Sequence, residues 1–147
     1  MKLAKRTLWA LVLTLPFSLA WAADEAGIVK TSKGQVTVER AGQRLAAPVG
    51  SRIFASDRVL TGGDGSVGIT LRDNTILSAG PNSTVDLNKF TFDSTTHAGA
   101  IDATVRRGTL SVMSGKIAKA TPDAVSFSAP GMTLGVRGTS FVIDAGQ

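Results

Sequence analysis

The chain has 147 residues, a formal net charge of +5 and no cysteine, so it has neither disulfides nor thiolate metal ligands. Three of its 16 basic residues and none of its 11 acidic residues precede residue 23. The remainder therefore carries only 13 − 11 = +2, which excludes the large basic field that attracts nucleic acid.

The N-terminal segment has the features of an export signal. Lys2, Lys5 and Arg6 precede an uncharged apolar run over residues 7–22, which ends in the small-x-small sequence Ala20-Trp21-Ala22. The alternative is an uncleaved anchor, but the run has 16 residues and a membrane-spanning helix needs roughly 20. We predict a signal peptide over residues 1–22, a single domain over residues 23–147 with no further membrane span, and a periplasmic or extracellular location.

The rest of the chain is punctuated by glycine and alternates apolar with polar residues. Runs such as QVTVER, VGITLR, TVDLNKF, AIDATVR and TSFVID place β-branched side chains at every second position, which is typical of half-buried strands. In the first of these runs, Val36 and Val38 share one face, and Thr37 and Glu39 share the other. The pattern predicts an all-β domain of about ten to twelve short strands in hairpins, arranged as a sandwich, a roll or a short solenoid-like stack.

A weak internal repeat occurs three times: LRDNTI at residues 71–76, VRRGTL at 105–110 and the shorter VRGT at 136–139. Each copy has turn-forming residues where a two-residue hairpin loop would lie. The predicted loops are Asp73-Asn74, Arg107-Gly108 and Arg137-Gly138, and the predicted facing pairs are Leu71 with Ile76, Val105 with Leu110, and Leu134 with Phe141.

The known catalytic and ligand-binding motifs do not apply to this sequence. Residues 63–68 fit G-x-G-x-x-G, but a strand-like run follows where a dinucleotide site needs a helix. His97 is the single histidine, and Asp64, Asp73 and Asp93 lie in turn sequences where aspartate usually bonds its own backbone. No serine lies in a nucleophile elbow with a base. We therefore expect no enzyme activity, no catalytic residue, no cofactor and no metal site.

The order of several short blocks resembles the FecR domain. The blocks are GQVTVERAGQRLAAPVGSRIFASDRVLTGGDGSVGITLRDNTILSAGPNSTVDL, then RRGTLSV and finally TLGVRGTSFVI, and they extend from Gly34 to about Ile143. The resemblance implies an all-β periplasmic interaction domain, which in FecR itself is the outer part of a membrane-spanning anti-sigma regulator. Because only six residues precede the apolar run here, we do not expect the anti-sigma role.

Arg137, between two glycines in the last block, is the most conspicuous polar residue. Together with Gly138 and Thr139 it forms either a structural turn or a partner-binding site. A bidentate clamp between Arg137 and Asp57 would fix the turn, and this structural interpretation is the one we favour from the sequence.

The sequence thus predicts a non-enzymatic periplasmic interaction or signalling module that binds another envelope protein and no nucleic acid. The alternative is a sensor of a small anionic metabolite or siderophore, held near Arg106, Arg107 and Arg137. The oligomeric state is open at this stage.

Overall fold

A computed structural model describes residues 24–136 and 140–147. Over these residues the chain forms thirteen strands, one short α-helix and one 3-10 turn. The strands are β1 (Glu25–Lys33), β2 (Val36–Arg40), β3 (Gln43–Ala46), β4 (Arg52–Phe54), β5 (Arg58–Thr61), β6 (Ser66–Leu71), β7 (Ile76–Ala79), β8 (Thr84–Phe92), β9 (Gly99–Arg107), β10 (Thr109–Met113), β11 (Val125–Ala129), β12 (Met132–Gly135) and β13 (Ser140–Asp144). The predicted signal peptide, residues 1–22, lies outside the described residues.

The strands form two sheets that share one core. The six-stranded sheet has the order β13-β10-β7-β6-β1-β4, and the seven-stranded sheet has the order β12-β11-β9-β8-β5-β2-β3. All neighbouring strands are antiparallel except β9 and β11, which run parallel. The all-β prediction is confirmed, and of the three arrangements considered the structure shows two sheets packed face to face, with one strand more than the predicted maximum.

Alternation of apolar and polar residues produces the core. Buried and partly exposed residues alternate strictly along β6 and β11, so each strand turns one row of side chains inward. Phe127 of one sheet and Phe141 of the other meet edge to face, with ring centroids 5.3 Å apart. A cavity of about 20 Å³ among Ile53, Leu77 and Leu110 has room for about one water molecule.

The hairpin between β6 and β7 forms, but with a register that differs from the predicted one. Thr70 faces Ile76, and the backbone N–H of Leu71 donates to the carbonyl of Thr75 at 2.8 Å. Asn74 adopts a left-handed φ of 69°, which turns the chain in three residues instead of two. Ile76 consequently points to solvent, so the prediction that Leu71 and Ile76 face each other is wrong.

The other two predicted hairpins are also wrong, because the chain changes sheets at these places. β9 belongs to the seven-stranded sheet and β10 to the six-stranded sheet, so Val105 and Leu110 are not a facing pair. Leu134 faces Phe127 on β11, whereas Phe141 faces Val112 on β10. A change of sheet places the two strands on opposite sides of the shared core, and each strand buries its inward apolar residues there.

One connector contains the only helical turns of the described residues, although no sustained helical period is present in the sequence. It folds as α1 (Lys116–Ala120) followed by a 3-10 turn over Pro122–Ala124. Ile117 of α1 is fully buried in the shared core. Lys116 and Lys119 point to solvent, as expected.

Candidate functional site

Asp57 is a structural anchor. Its carboxylate is 1% exposed and accepts two hydrogen bonds from Arg40, Nε to Oδ1 at 2.8 Å and Nη2 to Oδ2 at 2.7 Å. The backbone N–H of Phe54 donates a third bond of 2.8 Å, and the Arg40 guanidinium stacks 4.5 Å above the Phe54 ring. The hydrogen bond to Asp57 raises the pKa of Arg40.

Arg40 is therefore the arginine that the structure brings to Asp57. Arg137, the partner suggested by the sequence, lies with Gly138 and Thr139 outside the described residues. A clamp at Asp57 exists in the expected bidentate form, but the role of Arg137 itself stays a prediction.

A row of alternating charges crosses the outer face of the seven-stranded sheet, and we call it the charged ladder. Arg44 bonds Glu39 at 2.6 Å, and Glu39 lies 3.8 Å from Arg58. Arg58 bonds Asp86 through Nε at 2.6 Å, and the other Asp86 oxygen accepts from Nε of Arg106. The ladder thus joins five adjacent strands, β3, β2, β5, β8 and β9.

The charges of the ladder nearly neutralise one another. Burial raises the pKa of Asp86, but hydrogen bonds from Arg58 and Arg106 outweigh it, so the pKa lies below the usual 3.8. The hydrogen bond that Arg58 donates to Asp86 raises the pKa of Arg58. Three arginines and two carboxylates leave a net charge of +1 on the ladder, and this leaves little field to attract an anion.

Arg106 and Arg107, which the sequence suggests as ligand-binding residues, have different surroundings in the structure. The guanidinium of Arg106 donates to Asp86, whereas the exposed side chain of Arg107, at the end of β9, has no hydrogen bond or ion pair with the described residues. The structure does not assemble Arg106 and Arg107 into one anion cradle, because Arg106 is committed to the ladder.

Sequence reasoning missed the ladder apart from Arg106. The alternation in β2 puts Glu39 on the face opposite Val36 and Val38, as the structure shows, but its neighbours Arg44 and Arg58 come from other strands. Opposite charges at facing positions of adjacent strands are the signal for such a ladder. That signal becomes readable only when the strand order and register are known.

Four of the five carboxylates that line two surface depressions of the described residues are held by an arginine or by backbone N–H groups. A depression of about 470 Å³ beside the ladder is lined by Glu39, Asp57 and Asp86, each of which contacts an arginine. A second, of about 580 Å³, lies against Phe90 and Asp93, whose carboxylate accepts hydrogen bonds from the loop backbone at Thr95 and Thr96. Within residues 24–136 and 140–147, no three His, Asp or Glu side chains are grouped to hold a metal ion.

The three turn aspartates behave largely as expected. Asp73 accepts from the N–H of Thr75 and Asp93 from the loop N–H groups, so both bond their own turns. Asp64 instead accepts from the N–H of Gln35, 29 residues earlier. The glycine-rich residues 62–65 form the turn before β6, so the turn interpretation of the G-x-G-x-x-G motif is confirmed.

The outer face of the six-stranded sheet is chemically opposite to the ladder. Ile76, Met113 and Val142 are 39%, 55% and 68% exposed there, and we call this surface the apolar face. Met113 faces Ile76 across β10 and β7, and Val142 of β13 lies beside Ser111. The outward positions of β6, β7 and β10 carry no charge; they are Ser66, Gly68, Thr70, Ile76, Ser78, Thr109, Ser111 and Met113.

The fold and these surfaces define an all-β sandwich with one charged and one apolar face. Within that class, the chain belongs to the FecR family: the family described as "FecR protein" matches residues 57–147, more than half of the chain. A solved structure described as "Cell surface anchoring domain" is similar, at 38% identity over 43% of this chain and 84% of that chain, with a TM-score of 0.42. No curated protein matches the chain.

Proposed function

We propose that the chain is a non-enzymatic interaction or signalling module of the bacterial cell envelope, and that it binds another envelope protein. Membership of the FecR family and the export-signal features of residues 1–22 support this proposal. No helix of the described residues is long and apolar enough to cross a membrane.

The observation that carries the proposal is the apolar face. Three large hydrophobic side chains lie together on the outside of a sheet whose other outward positions on β6, β7 and β10 hold only small or hydroxylated residues. Asp144, two residues after Val142 on β13, lies at the rim of this surface. Contiguous exposed apolar surface rimmed by polar residues marks interaction sites, because its burial against a partner releases water. The absence of charge from the outward positions of β6, β7 and β10 removes, over that part of the face, the desolvation cost that a charged surface would add to binding.

The alternative, a sensor of a small anionic ligand, has weaker support in the geometry. Arg106 already donates to Asp86, and Arg58, the arginine that lines the depression nearest to the ladder, is paired with the same carboxylate. A protein partner on the apolar face needs neither arginine.

Photo-cross-linking in the native envelope tests the proposal. A photoreactive amino acid at Ile76 lies on the apolar face, and the same group at Ala46 is an exposed control on the outer face of the other sheet. We expect a distinct envelope protein, identified by mass spectrometry, to be captured from Ile76 and not from Ala46. Equal capture from both positions, or capture of this chain alone, would contradict the proposal.

A further inference from the structure

The four edge strands of the described sheets differ in how they are protected. β3 and β4, at one side of the sandwich, carry Arg44 and Arg52, and β4 has only three residues. Charged side chains and short length are the usual means by which an edge avoids pairing with another chain. β13, at the other side, has five residues, of which only Asp144 is charged.

The backbone groups of β13 that face away from its sheet can be assigned from the neighbouring bonds. The carbonyl of Thr109 accepts from the N–H of Gly80, on the β7 side of β10. Bonding directions alternate along an antiparallel strand, so Leu110 and Val112 bond toward β13. They face Ile143 and Phe141, which leaves the N–H and C=O groups of Ser140, Val142 and Asp144 directed outward; no other described strand pairs with them.

The sequence of β13 is self-complementary about its central residue. In an antiparallel pair with a two-fold axis at Val142, the Val142 residues of the two copies face each other. Ser140 then faces Asp144 of the second copy, and Phe141 faces Ile143. Every residue of the strand obtains a partner, no like charges are opposed, and three outward-directed pairs with two bonds each give about six backbone hydrogen bonds.

We propose that two copies of this chain associate through β13 in this register, which joins two six-stranded sheets into one sheet of twelve strands. This proposal goes beyond binding of an envelope partner and does not depend on it. The side chains on both surfaces of the seam favour the pairing. Val142, the most exposed of the six large hydrophobic residues with high exposure, becomes covered by its counterpart at the edge of the apolar face.

Each copy is folded before it associates. Ile143 is 2% exposed and Phe141 packs against Phe127, so the inner side chains of β13 are held by their own core. The association therefore adds one copy to another reversibly, without exchange of a strand. Only the outward backbone groups and the outer side chain of Val142 change their surroundings.

Single cysteines test the geometry, because the natural chain has none. In purified full chain expressed with its N-terminal segment, Val142→Cys places the two thiols on the axis, within the 4.4–6.8 Å between Cα atoms that a disulfide allows. Ser78→Cys is the matched control: it is exposed on the same face but two strands away, so its copies lie about 24 Å apart at about 4.8 Å per strand.

We expect mild oxidation to give a covalent dimer with Val142→Cys and none with Ser78→Cys. The register is tested by mixing Ser140→Cys with Asp144→Cys, which should cross-link together although neither does so alone. Equal cross-linking of Val142→Cys and Ser78→Cys would overturn the proposal.

Opposite charges give an independent readout by analytical ultracentrifugation. Val142→Lys places two lysines on the axis, which should raise the dimer dissociation constant by about fivefold to tenfold. A mixture of Val142→Lys and Val142→Asp should recover the association of the natural chain. A natural chain that remains monomeric at the highest soluble concentration, or a Val142→Lys variant that associates as tightly, would contradict the proposal.

Discussion

The backbone N–H of Ile117 donates a hydrogen bond of 3.1 Å to the carboxylate of Asp73, across 44 residues of chain. Asp73 is fully buried and also accepts from the N–H and the hydroxyl of Thr75, at 3.1 and 2.7 Å. One carboxylate therefore fastens the β6–β7 turn to α1, and α1 in turn places Ile117 in the core.

Replacing this carboxylate should be costly. Asp73→Asn exchanges one acceptor oxygen for a donor NH₂ group that faces protein donors, and leaves at least one buried donor unsatisfied. We expect a loss of about 2–4 kcal/mol in the free energy of unfolding, measured by urea denaturation. Asp64→Asn is the control, because Asp64 is exposed and accepts one 3.3 Å bond, so it should lose less than about 1 kcal/mol. Equal losses would show that the buried network is not stabilising.

The clamp between Arg40 and Asp57 should contribute more than the exposed part of the charged ladder. Arg40→Ala leaves the buried Asp57 carboxylate without its counter-ion, and we expect about 2–3 kcal/mol less stability. Arg44→Ala breaks a pair whose arginine is 60% exposed, so at most about 0.5 kcal/mol should be lost. The two unfolding free energies can be compared directly, and similar values would contradict a structural role for the clamp.

The change of sheet at Gly108 should tolerate no side chain. Gly108 has a φ of 78°, and an added Cβ would lie 2.6 Å from Cα of Ser83 and 2.8 Å from the carbonyl oxygen of Asn82. Gly131 has nearly the same φ, 76°, but open space around it. Gly131→Ala should cost about 1 kcal/mol from the backbone alone. Gly108→Ala should cost about 2–4 kcal/mol, because the clash is added to the same strain.

Backbone strain is common to Gly131→Ala and Gly108→Ala, so the difference in stability between the two variants reports the steric clash at Gly108. Thermal unfolding monitored by circular dichroism should show a clearly larger drop in Tm for the Gly108 variant. Equal drops would mean that the crossing between the sheets can shift to accommodate a methyl group.

Acid should weaken the fold through Asp86. Its pKa is lowered in the folded protein, so it binds a proton more readily when unfolded. Its stabilising contribution is therefore complete well above the usual value of 3.8 and is lost as the pH falls below it, toward the folded pKa. The difference in unfolding free energy between the natural chain and Asp86→Asn should shrink between about pH 5 and pH 2. A difference that is constant over this range would be inconsistent with the charged ladder.

What the sequence predicts well is local. The alternation of Val36 and Val38 with polar residues is sufficient to predict a half-buried strand, because side-chain direction in a strand depends only on the parity of position. The cluster of glycines at residues 62–65 predicts the turn before β6, and the turn sequence around Asp73 predicts that its carboxylate bonds the local backbone. These features need no knowledge of which strands are neighbours.

What it predicts poorly is pairing between distant segments. The repeated R-G-T sequences look alike locally, but Gly108 lies at a crossing between sheets, and the similar Asp73-Asn74 turn closes a hairpin. Whether such a segment closes a hairpin or crosses between the sheets depends on the position of the core relative to the flanking strands. A six-residue pattern does not contain that information. Likewise, Arg40 reaches Asp57 because β2 and β5 are neighbours in the sheet, and the local sequence does not contain that pairing.

The most direct test of the account is whether an envelope protein depends on the apolar face for binding. Ile76→Lys places a charge on that face, and Ala46→Lys places the same charge on the outer face of the other sheet. We predict that both variants keep a Tm close to that of the natural chain, and that only Ile76→Lys loses the envelope protein that co-purifies with it. Undiminished co-purification with Ile76→Lys would contradict the account.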